Sequence, residues 1–294
     1  MAGRWGAVLT AMVTPFDANG ELDLDAAAEL ARWLQDHGND GLVVAGTTGE
    51  SPTLSDNEKL DLWRAVSEAV TIPIIAGTGS NDTRHTVELT KQAAACGAAG
   101  VLVVGPYYSR PPQSGIEAHL RAAAAATELP MMVYDVPIRT GRRIAHDVIV
   151  RVVRDVPNIV ALKDATGDPP AAARLVAELG EGFELYSGDD GLTLPLLSVG
   201  AVGVVGTCTH WCGVQMSEMI AAFEKGDIAR AREVNAKMGE SYAFQNSNES
   251  VFSQSVKAMM RTLGLRVGEC RLPLGPAPAG TEDRAREVYA RLNG

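Results

Sequence analysis

Short apolar runs alternate with longer amphipathic segments along most of this chain, and the alternation limits the fold more than any other feature. The apolar runs are Val8–Val13, Gly41–Ala45, Ile72–Ala76, Gly100–Val104, Met131–Tyr134, Ile159–Lys163, Glu184–Ser187 and Val202–Val205. The segments of helical periodicity between them are Leu24–Asp36, Asp56–Val70, Thr83–Cys96, Ile116–Thr127, Ala145–Arg154, Pro170–Leu179 and Gly191–Ser198. Runs that are apolar on both faces suit parallel strands buried between helices and a barrel interior. Eight such units predict a closed (β/α)8 TIM barrel, although a doubly wound sheet would give similar alternation.

The chain after the eighth run has helical texture only. Its helical segments are Trp211–Glu224, Asp227–Tyr242, Val251–Leu263 and Glu282–Leu292, with a Gly/Pro-rich loop at Pro273–Gly280. One of these helices completes the barrel, and the others form an extension. We therefore predict a barrel over residues 1–225 that carries the active site and a C-terminal helical extension over residues 226–294.

Charge and composition exclude several classes of protein. The net charge of −10 and the lack of a Lys/Arg cluster argue against a nucleic-acid partner. The apolar stretch from Ala7 to Phe16 is interrupted by Pro15 and followed by Asp17, so we interpret it as the first strand and not as a signal peptide. No apolar run approaches the ~20 residues of a membrane helix. Four cysteines in 294 residues are no disulfide framework, and we expect a cytoplasmic protein.

Lys163 ends the sixth apolar run, and strand ends are where a barrel presents its catalytic groups. Desolvation there would lower the pKa of the lysine and free the amine to attack a carbonyl. Position alone slightly favours the alternative, a salt-bridged or snorkelling lysine. The other lysines fall in helical patterns, mostly with polar neighbours typical of a solvated face: Lys59, Lys91, Lys225, Lys237 and Lys257.

Residues after other strands make the nucleophile interpretation stronger. Tyr134 ends the fifth run, and its phenol is suited to shuttling protons during imine formation. Arg139, five residues on, is suited to binding a substrate carboxylate with its guanidinium fork. Taken singly, the tyrosine could anchor a loop and the arginine could be solvated.

Two loops add polar groups to the same predicted face. Gly46-Thr-Thr-Gly-Glu50 offers hydroxyl and backbone N–H donors for a carboxylate, whereas Ser51 and Ser55 could equally cap the next helix. The adjacent Tyr107 and Tyr108, on a proline-stiffened loop, suggest a subunit interface or a contribution to the site.

Five motifs together give the chain a resemblance to a known family. They are Gly46-Thr-Thr-Gly-Glu50, Pro106-Tyr-Tyr108, Tyr134-Asp-Val-Pro-Ile-Arg139, Lys163-Asp-Ala-Thr166 and Ser187-Gly-Asp-Asp190. In this order, at predicted strand ends and over residues 5–275 or so, they resemble the dihydrodipicolinate synthase/N-acetylneuraminate lyase family of pyruvate-dependent class I aldolases. The double tyrosine and Arg139 are more similar to the synthases than to the sialic acid lyases.

The resemblance implies a lyase that condenses pyruvate with L-aspartate 4-semialdehyde, without a cofactor, in lysine and diaminopimelate biosynthesis. It implies that Lys163 forms the Schiff base and that Thr47 and Thr48 hold the pyruvate carboxylate. It further implies a proton relay of Tyr134, Thr47 and Tyr108, with Tyr108 supplied by a neighbouring subunit of a homotetramer. Arg139 would bind the carboxylate of the semialdehyde. Two further substrate-binding positions are implied, Gly188 and Val205.

Some positions depart from the family pattern. Asp135 and Ile138 replace an Asn and a small residue of many relatives, and the segment from Gly203 to Trp211 is unusual. Lysine-inhibited relatives carry His at the positions of Asp56 and Lys59 and Glu at that of His85. Since a carboxylate for the ammonium of lysine is absent at His85, we expect weak or no inhibition by L-lysine. An inhibition constant well below millimolar would refute this.

Three other interpretations remain at this stage. Cys208, His210 and Cys212 alternate after strand eight, so an extended segment would aim all three to one side as zinc ligands, although buried thiols are the simpler explanation. A non-catalytic ligand-binding barrel is the second. The third is a sister pyruvate aldolase for a sugar acid, in which Lys163 and Tyr134 would be kept and Arg139 would discriminate.

Overall fold

A computed structural model describes residues 3–245, 247 and 250–294. Its strands are β1 (Val8–Ala11), β2 (Gly41–Val44), β3 (Ile74–Gly77), β4 (Gly100–Val104), β5 (Met131–Asp135), β6 (Ile159–Asp164), β7 (Glu184–Ser187) and β8 (Gly203–Gly206). The helices that follow these strands are α1 (Leu24–Asp36), α2 (Asp56–Ala69), α3 (Thr83–Ala93), α4 (Gln113–Ala124), α5 (Pro137–Thr140), α6 (His146–Asp155), α7 (Pro169–Leu179), α8 (Thr193–Leu197) and α9 (Thr209–Glu224). The C-terminal helices are α10 (Ile228–Lys237), α11 (Gly239–Gln245), α12 (Phe252–Thr262) and α13 (Thr281–Asn293).

The eight strands form a closed parallel barrel in sequence order. Closure is made by β8 against β1, where Val205 is the register partner of Leu9. The predicted (β/α)8 barrel with C-terminal helices is therefore confirmed, and the open doubly wound sheet is excluded. Because parallel strands all run the same way, the ends of β2, β5, β6, β7 and β8 share one rim of the barrel.

Apolar side chains fill two layers, one inside the barrel and one between the strands and the helices. The inner layer includes Leu9, Ile75, Leu102, Ala161 and Val205. The outer layer is larger and continuous with the C-terminal helices. This explains why the strand runs are apolar without alternation, since both faces of each strand are buried.

Helix ends follow local signals that the periodicity does not resolve. Ser55 is the N-cap of α2 and forms a reciprocal capping box with Glu58, as its position allowed. The single helix predicted from Asp227 to Tyr242 is two helices that meet at Met238 and Gly239. The short helix α5 was not predicted, because four residues are too few to show a period.

The C-terminal helices pack closely against the barrel. Helix α12 contacts α9, and α13 packs against α11 and α12. The side chain of Gln254 in α12 donates to the carbonyls of Leu274, Gly275 and Pro276, which holds the Gly/Pro-rich loop against the helix. The division at residue 225 remains a prediction.

In the described part of the chain, none of the helices combines the length and the apolar character needed to cross a membrane.

Candidate active site

The amine of Lys163 lies inside the barrel rim with little access to water. The side chain projects from β6, the residue is 5% exposed, and Nζ lies 4.4 Å from the ring centroid of Tyr134. Tyr134 on β5 is the register partner of Lys163, which places the two side chains next to each other. Burial lowers the pKa of Lys163 to about 8, with Asp190 opposing the shift and Arg139 adding to it. At pH 7 about a tenth of the lysine is therefore the neutral amine, far more than for an unperturbed lysine.

Tyr134 is a buried neutral phenol. Burial raises its pKa to about 12, with the nearby Arg139 opposing the shift. The phenol therefore keeps its proton at neutral pH and is able to donate it or pass it on. That behaviour suits a proton carrier next to a lysine and does not suit a permanent base.

A cavity of about 360 Å³ opens beside these two residues. Its lining includes four of the predicted site residues, Thr47, Tyr108, Tyr134 and Arg139, together with Ala45, Gly46, Ser51, Pro52, Gly77, Gly79, Leu102, Val104, Tyr107 and Val136. Lys163 lies against the ring of Tyr134 and is not part of the lining. Thr48, Gly188 and Val205 are not part of the lining either. The lining is mostly apolar with a few polar groups and one cation, which is typical of a small-molecule site.

The loop after β2 is held in an unusual backbone conformation. Ala45 and Glu50, at its two ends, both have φ near +57°, a region that non-glycine residues rarely adopt. The hydroxyl of Thr14 donates to the carbonyl of Gly49 at 2.6 Å, and Ser253 donates to the carbonyl of Thr48 at 3.0 Å. These contacts fix the peptide units that follow Thr48 and Gly49, in the loop that carries Thr47 and Thr48.

Glu50 forms a fully buried ion pair with Lys257. Both side chains are 0% exposed, with Nζ 2.7 Å from Oε1. The other carboxylate oxygen of Glu50 accepts the backbone N–H of Arg271, and Nζ of Lys257 also donates to the carbonyl of Glu269. The sequence predicts a helix for Lys257, which is confirmed, and a solvated face for most of the helical lysines, to which the buried Lys257 is an exception. Lys59, whose residue is also buried, is a second exception.

Gly188 and Val205 lie at the same rim but serve packing. A Cβ on Gly188 would meet the Cβ of Ala165 at 2.9 Å, so the ends of β7 and β6 approach closely only with glycine there. Val205 is buried in the inner layer beside Tyr134 and Tyr186. Their predicted contact with substrate stays a prediction.

Asp190, which the resemblance named only as part of a motif, is buried close to Lys163. Its carboxylate accepts the backbone N–H of Thr207, the amide of Gln245 at 2.8 Å and the thiol of Cys208. Asp190 therefore joins β7, the start of α9 and α11, and its charge raises the pKa of Lys163 against the effect of burial.

Asp135 is buried directly after Tyr134. Both carboxylate oxygens accept the backbone N–H of Ile144, at 3.3 Å each. Burial raises the pKa of Asp135 to about 7, and the charge of Asp164 on the neighbouring strand adds to the shift. These hydrogen bonds hold the two ends of the segment 136–144 together, and this segment carries Arg139.

The adjacent tyrosines differ in their exposure. Tyr108 is 91% exposed and has φ of +69°, while Tyr107 is half-buried. An exposed tyrosine in a strained conformation at the edge of a cavity agrees with either expectation, a subunit interface or a contribution to the site.

The segment with Cys208, His210 and Cys212 is helical, so it lacks the extended geometry on which the zinc alternative depended, and both thiols are buried. Cys208 is the N-cap of α9, and the other two lie in its first turn. Nε2 of His210 accepts the backbone N–H of Val13, so Nδ1 carries the proton and donates to the carbonyl of Thr207. Both ring nitrogens of His210 are therefore engaged in hydrogen bonds. No group of three His, Cys, Asp or Glu residues in the described ranges is arranged to hold a metal ion.

Comparisons with known proteins agree with this geometry. The model of the Dihydrodipicolinate synthetase family matches residues 4–292. A 4-hydroxy-tetrahydrodipicolinate synthase from Acidothermus cellulolyticus is 50% identical over 288 residues, covering 97% of this chain and 92% of that protein.

Two solved structures are similar over almost the whole chain. The dihydrodipicolinate synthase of Cyanidioschyzon merolae, solved with lysine bound, is 41% identical with a TM-score of 0.95 and 98% coverage of both chains. The chloride-inhibited dihydrodipicolinate synthase of Acinetobacter baumannii, solved with pyruvate, is 35% identical with a TM-score of 0.92 and the same coverage. The chain belongs to the dihydrodipicolinate synthetase family.

Proposed function

We propose that this protein is a 4-hydroxy-tetrahydrodipicolinate synthase that condenses pyruvate with L-aspartate 4-semialdehyde through a Schiff base on Lys163. The observation that carries the proposal is a buried lysine whose pKa is lowered to about 8, in contact with a tyrosine that lines a cavity with Arg139 at its edge. The names of relatives at about half identity support the choice of reaction. The reaction belongs to lysine and diaminopimelate biosynthesis.

The first half-reaction makes a nucleophile from pyruvate. The neutral amine of Lys163 attacks the ketone carbon, and the resulting carbinolamine loses water to give an imine. The imine then loses a methyl proton to give an enamine. Thr47 and Thr48 hold the pyruvate carboxylate through hydroxyl and backbone N–H donors. A solved relative that contains pyruvate supports pyruvate as the first substrate.

Proton transfers in these steps need a carrier that reaches the amine. The ring of Tyr134 lies against Nζ of Lys163 and its phenol keeps its proton at neutral pH, and in this proposal the phenol protonates the leaving hydroxyl and receives a proton afterwards. Thr47 and Tyr108 would extend the relay to the solvent side of the cavity, with Tyr108 supplied by a neighbouring subunit.

The second half-reaction joins the two substrates. The enamine carbon attacks the aldehyde carbon, and the amino group of the semialdehyde then displaces Lys163 from the imine carbon, which closes the ring and frees the enzyme. Overall one water is released. Arg139 binds the carboxylate of the semialdehyde, because a guanidinium pairs with a carboxylate in a bidentate fork.

We also propose a homotetramer in the cytoplasm. Tyr108 lines the cavity and Ile138 is next in sequence to Arg139, which also lines it; both are 91% exposed, and a neighbouring subunit would cover them.

Steady-state kinetics with pyruvate and each of several aldehydes test the choice of acceptor. We expect turnover with L-aspartate 4-semialdehyde, and little with N-acetylmannosamine or a sugar-derived aldehyde. Arg139→Ala should raise the KM for the semialdehyde by about 10- to 100-fold, since a charged hydrogen-bonding partner is worth about 1.5–3 kcal/mol. The KM for pyruvate should stay within about twofold. Preferred turnover of a sugar-derived aldehyde would identify a sister aldolase, and no turnover of any aldehyde would favour a binding barrel.

A further inference from the structure

The first turns of α12 contact two loops of the active site that are far apart in sequence. Phe252 and Ser253 are adjacent, and Lys257 lies one turn after Ser253 on the same face. Phe252 contacts the loop after β5, whereas Ser253 and Lys257 contact the loop after β2. One rigid element therefore connects the groups proposed for the two substrates.

The contact of Phe252 is with Arg139. The guanidinium carbon lies 4.4 Å from the centroid of the phenyl ring. Arg139 itself is exposed, and a long exposed side chain samples many rotamers unless something holds it. A cation–π contact with a ring on a helix favours one of these rotamers and leaves the N–H groups of the guanidinium free for an anion.

The contacts of Ser253 and Lys257 are with the loop that carries Thr47 and Thr48. The buried hydroxyl of Ser253 donates to the carbonyl of Thr48 at 3.0 Å. Lys257 neutralises Glu50, whose strained conformation ends the same loop. Strained backbone persists only where the surroundings hold it, and α12 supplies two of these restraints.

We propose that the start of α12 is a positioning element for both substrates: Phe252 orients Arg139 for the carboxylate of the aldehyde, and Ser253 orients the loop at Thr47 and Thr48 for the carboxylate of pyruvate. The inference rests on the proposed function. Neither residue touches the reacting atoms, so both are positioning residues, and each acts on one substrate only.

Two neighbouring substitutions should therefore have separate kinetic effects. Phe252→Leu keeps an apolar side chain but removes the ring, and we expect the KM for the aldehyde to rise by about 3- to 10-fold with the KM for pyruvate unchanged. Ser253→Ala removes one hydrogen bond, and we expect the KM for pyruvate to rise by about 2- to 10-fold with the KM for the aldehyde unchanged. Phe252→Tyr keeps the ring and should restore the KM for the aldehyde.

The experiment is steady-state kinetics of the full-length enzyme with each substrate varied while the other is saturating. Gln254→Ala is the matched control, because Gln254 lies in the same turn but donates to Leu274, Gly275 and Pro276 and to neither active-site loop. It should leave both KM values within about twofold even where it lowers the thermal midpoint. Thermal unfolding of all variants shows which changes come from lost stability.

The outcomes separate the inference from the function on which it rests. The inference is supported if Phe252→Leu raises only the KM for the aldehyde and Ser253→Ala raises only the KM for pyruvate. If the unmodified enzyme turns over but both KM values rise together in each variant, or neither moves, or Gln254→Ala behaves as they do, α12 does not position the substrates and the inference is wrong. Absence of turnover in the unmodified enzyme would instead overturn the proposed function.

Discussion

Lys163 combines a buried amine with a tyrosine ring against it, and its titration should be visible in the kinetics. Because burial lowers its pKa to about 8, the neutral amine grows about tenfold per pH unit below that value and saturates above it. We expect the rate of imine formation with pyruvate to rise from pH 6 to about 8 and then level. Stopped-flow or rapid-quench measurement of imine formation across this range checks the profile. A rate that rises without levelling up to pH 10 would indicate an ordinary solvated lysine.

Asp135 should make the protein less stable as the pH rises. Its pKa is about 7 in the folded chain and close to 4 in the unfolded chain, so between these values the folded state binds more protons than the unfolded state. The free energy of unfolding therefore falls with rising pH in this window, by at most about 4 kcal/mol for a shift of this size.

The variant Asp135→Asn isolates this effect, because the amide keeps an acceptor for the N–H of Ile144 and carries no charge. We expect it to be more stable than the unmodified protein at pH 8 and to have a weaker dependence on pH between 4 and 8. Denaturant unfolding at several pH values measures both. Equal pH dependence of the two proteins would show that Asp135 does not titrate in this way.

At the scale of elements, the pair of Glu50 and Lys257 ties the loop after β2 to α12. Removal of one partner leaves a buried charge without its counter-charge, which costs about 3–5 kcal/mol, whereas neutralising both partners together costs much less. We expect Glu50→Gln and Lys257→Met each to lower the free energy of unfolding by about that amount.

The double variant should be more stable than either single variant. A double-mutant cycle from denaturant unfolding gives the coupling free energy directly. If the losses of unfolding free energy in the two single variants add up to the loss in the double variant, the two charges do not interact, in spite of the 2.7 Å separation.

The barrel and the ends of its strands were predictable, and contacts between distant elements were not. Lys163 and Tyr134 end apolar runs and Arg139 follows one, so the general placement of barrel active sites locates them. The burial of Lys257 could not be predicted, because its partner Glu50 lies 207 residues away and a helical pattern does not show which neighbour covers the lysine. Cys208, His210 and Cys212 left a zinc site open beside the simpler explanation of buried thiols, because alternating residues fit a strand as well as the first turn of a helix. Phe252 carried no signal, since a helical aromatic is usually a core residue.

At the scale of the whole molecule, the role proposed for Tyr108 connects catalysis to assembly. Entry of the tyrosine into the site of a neighbouring subunit would explain both its 91% exposure in a single chain and its strained φ. We expect Tyr108→Phe and Lys163→Arg each to be nearly inactive alone.

Co-expression of these two variants should restore activity to about a quarter of the unmodified level, because random pairing in a two-fold dimer gives mixed dimers with one complete site each. Purified mixed oligomers and a turnover assay check this, with the separately expressed variants mixed without subunit exchange as the control. If Tyr108 acts within its own chain, the mixed oligomers stay inactive.

The central claim is that Lys163 is the nucleophile, and trapping of the imine tests it most directly. The enzyme is incubated with pyruvate, the imine is reduced with borohydride, and the modified peptide is mapped by mass spectrometry, with Lys163→Arg as the control. We predict one pyruvate-derived adduct, on Lys163, and none in the variant. An adduct on any other lysine, or no adduct in the unmodified protein, would contradict the proposed mechanism.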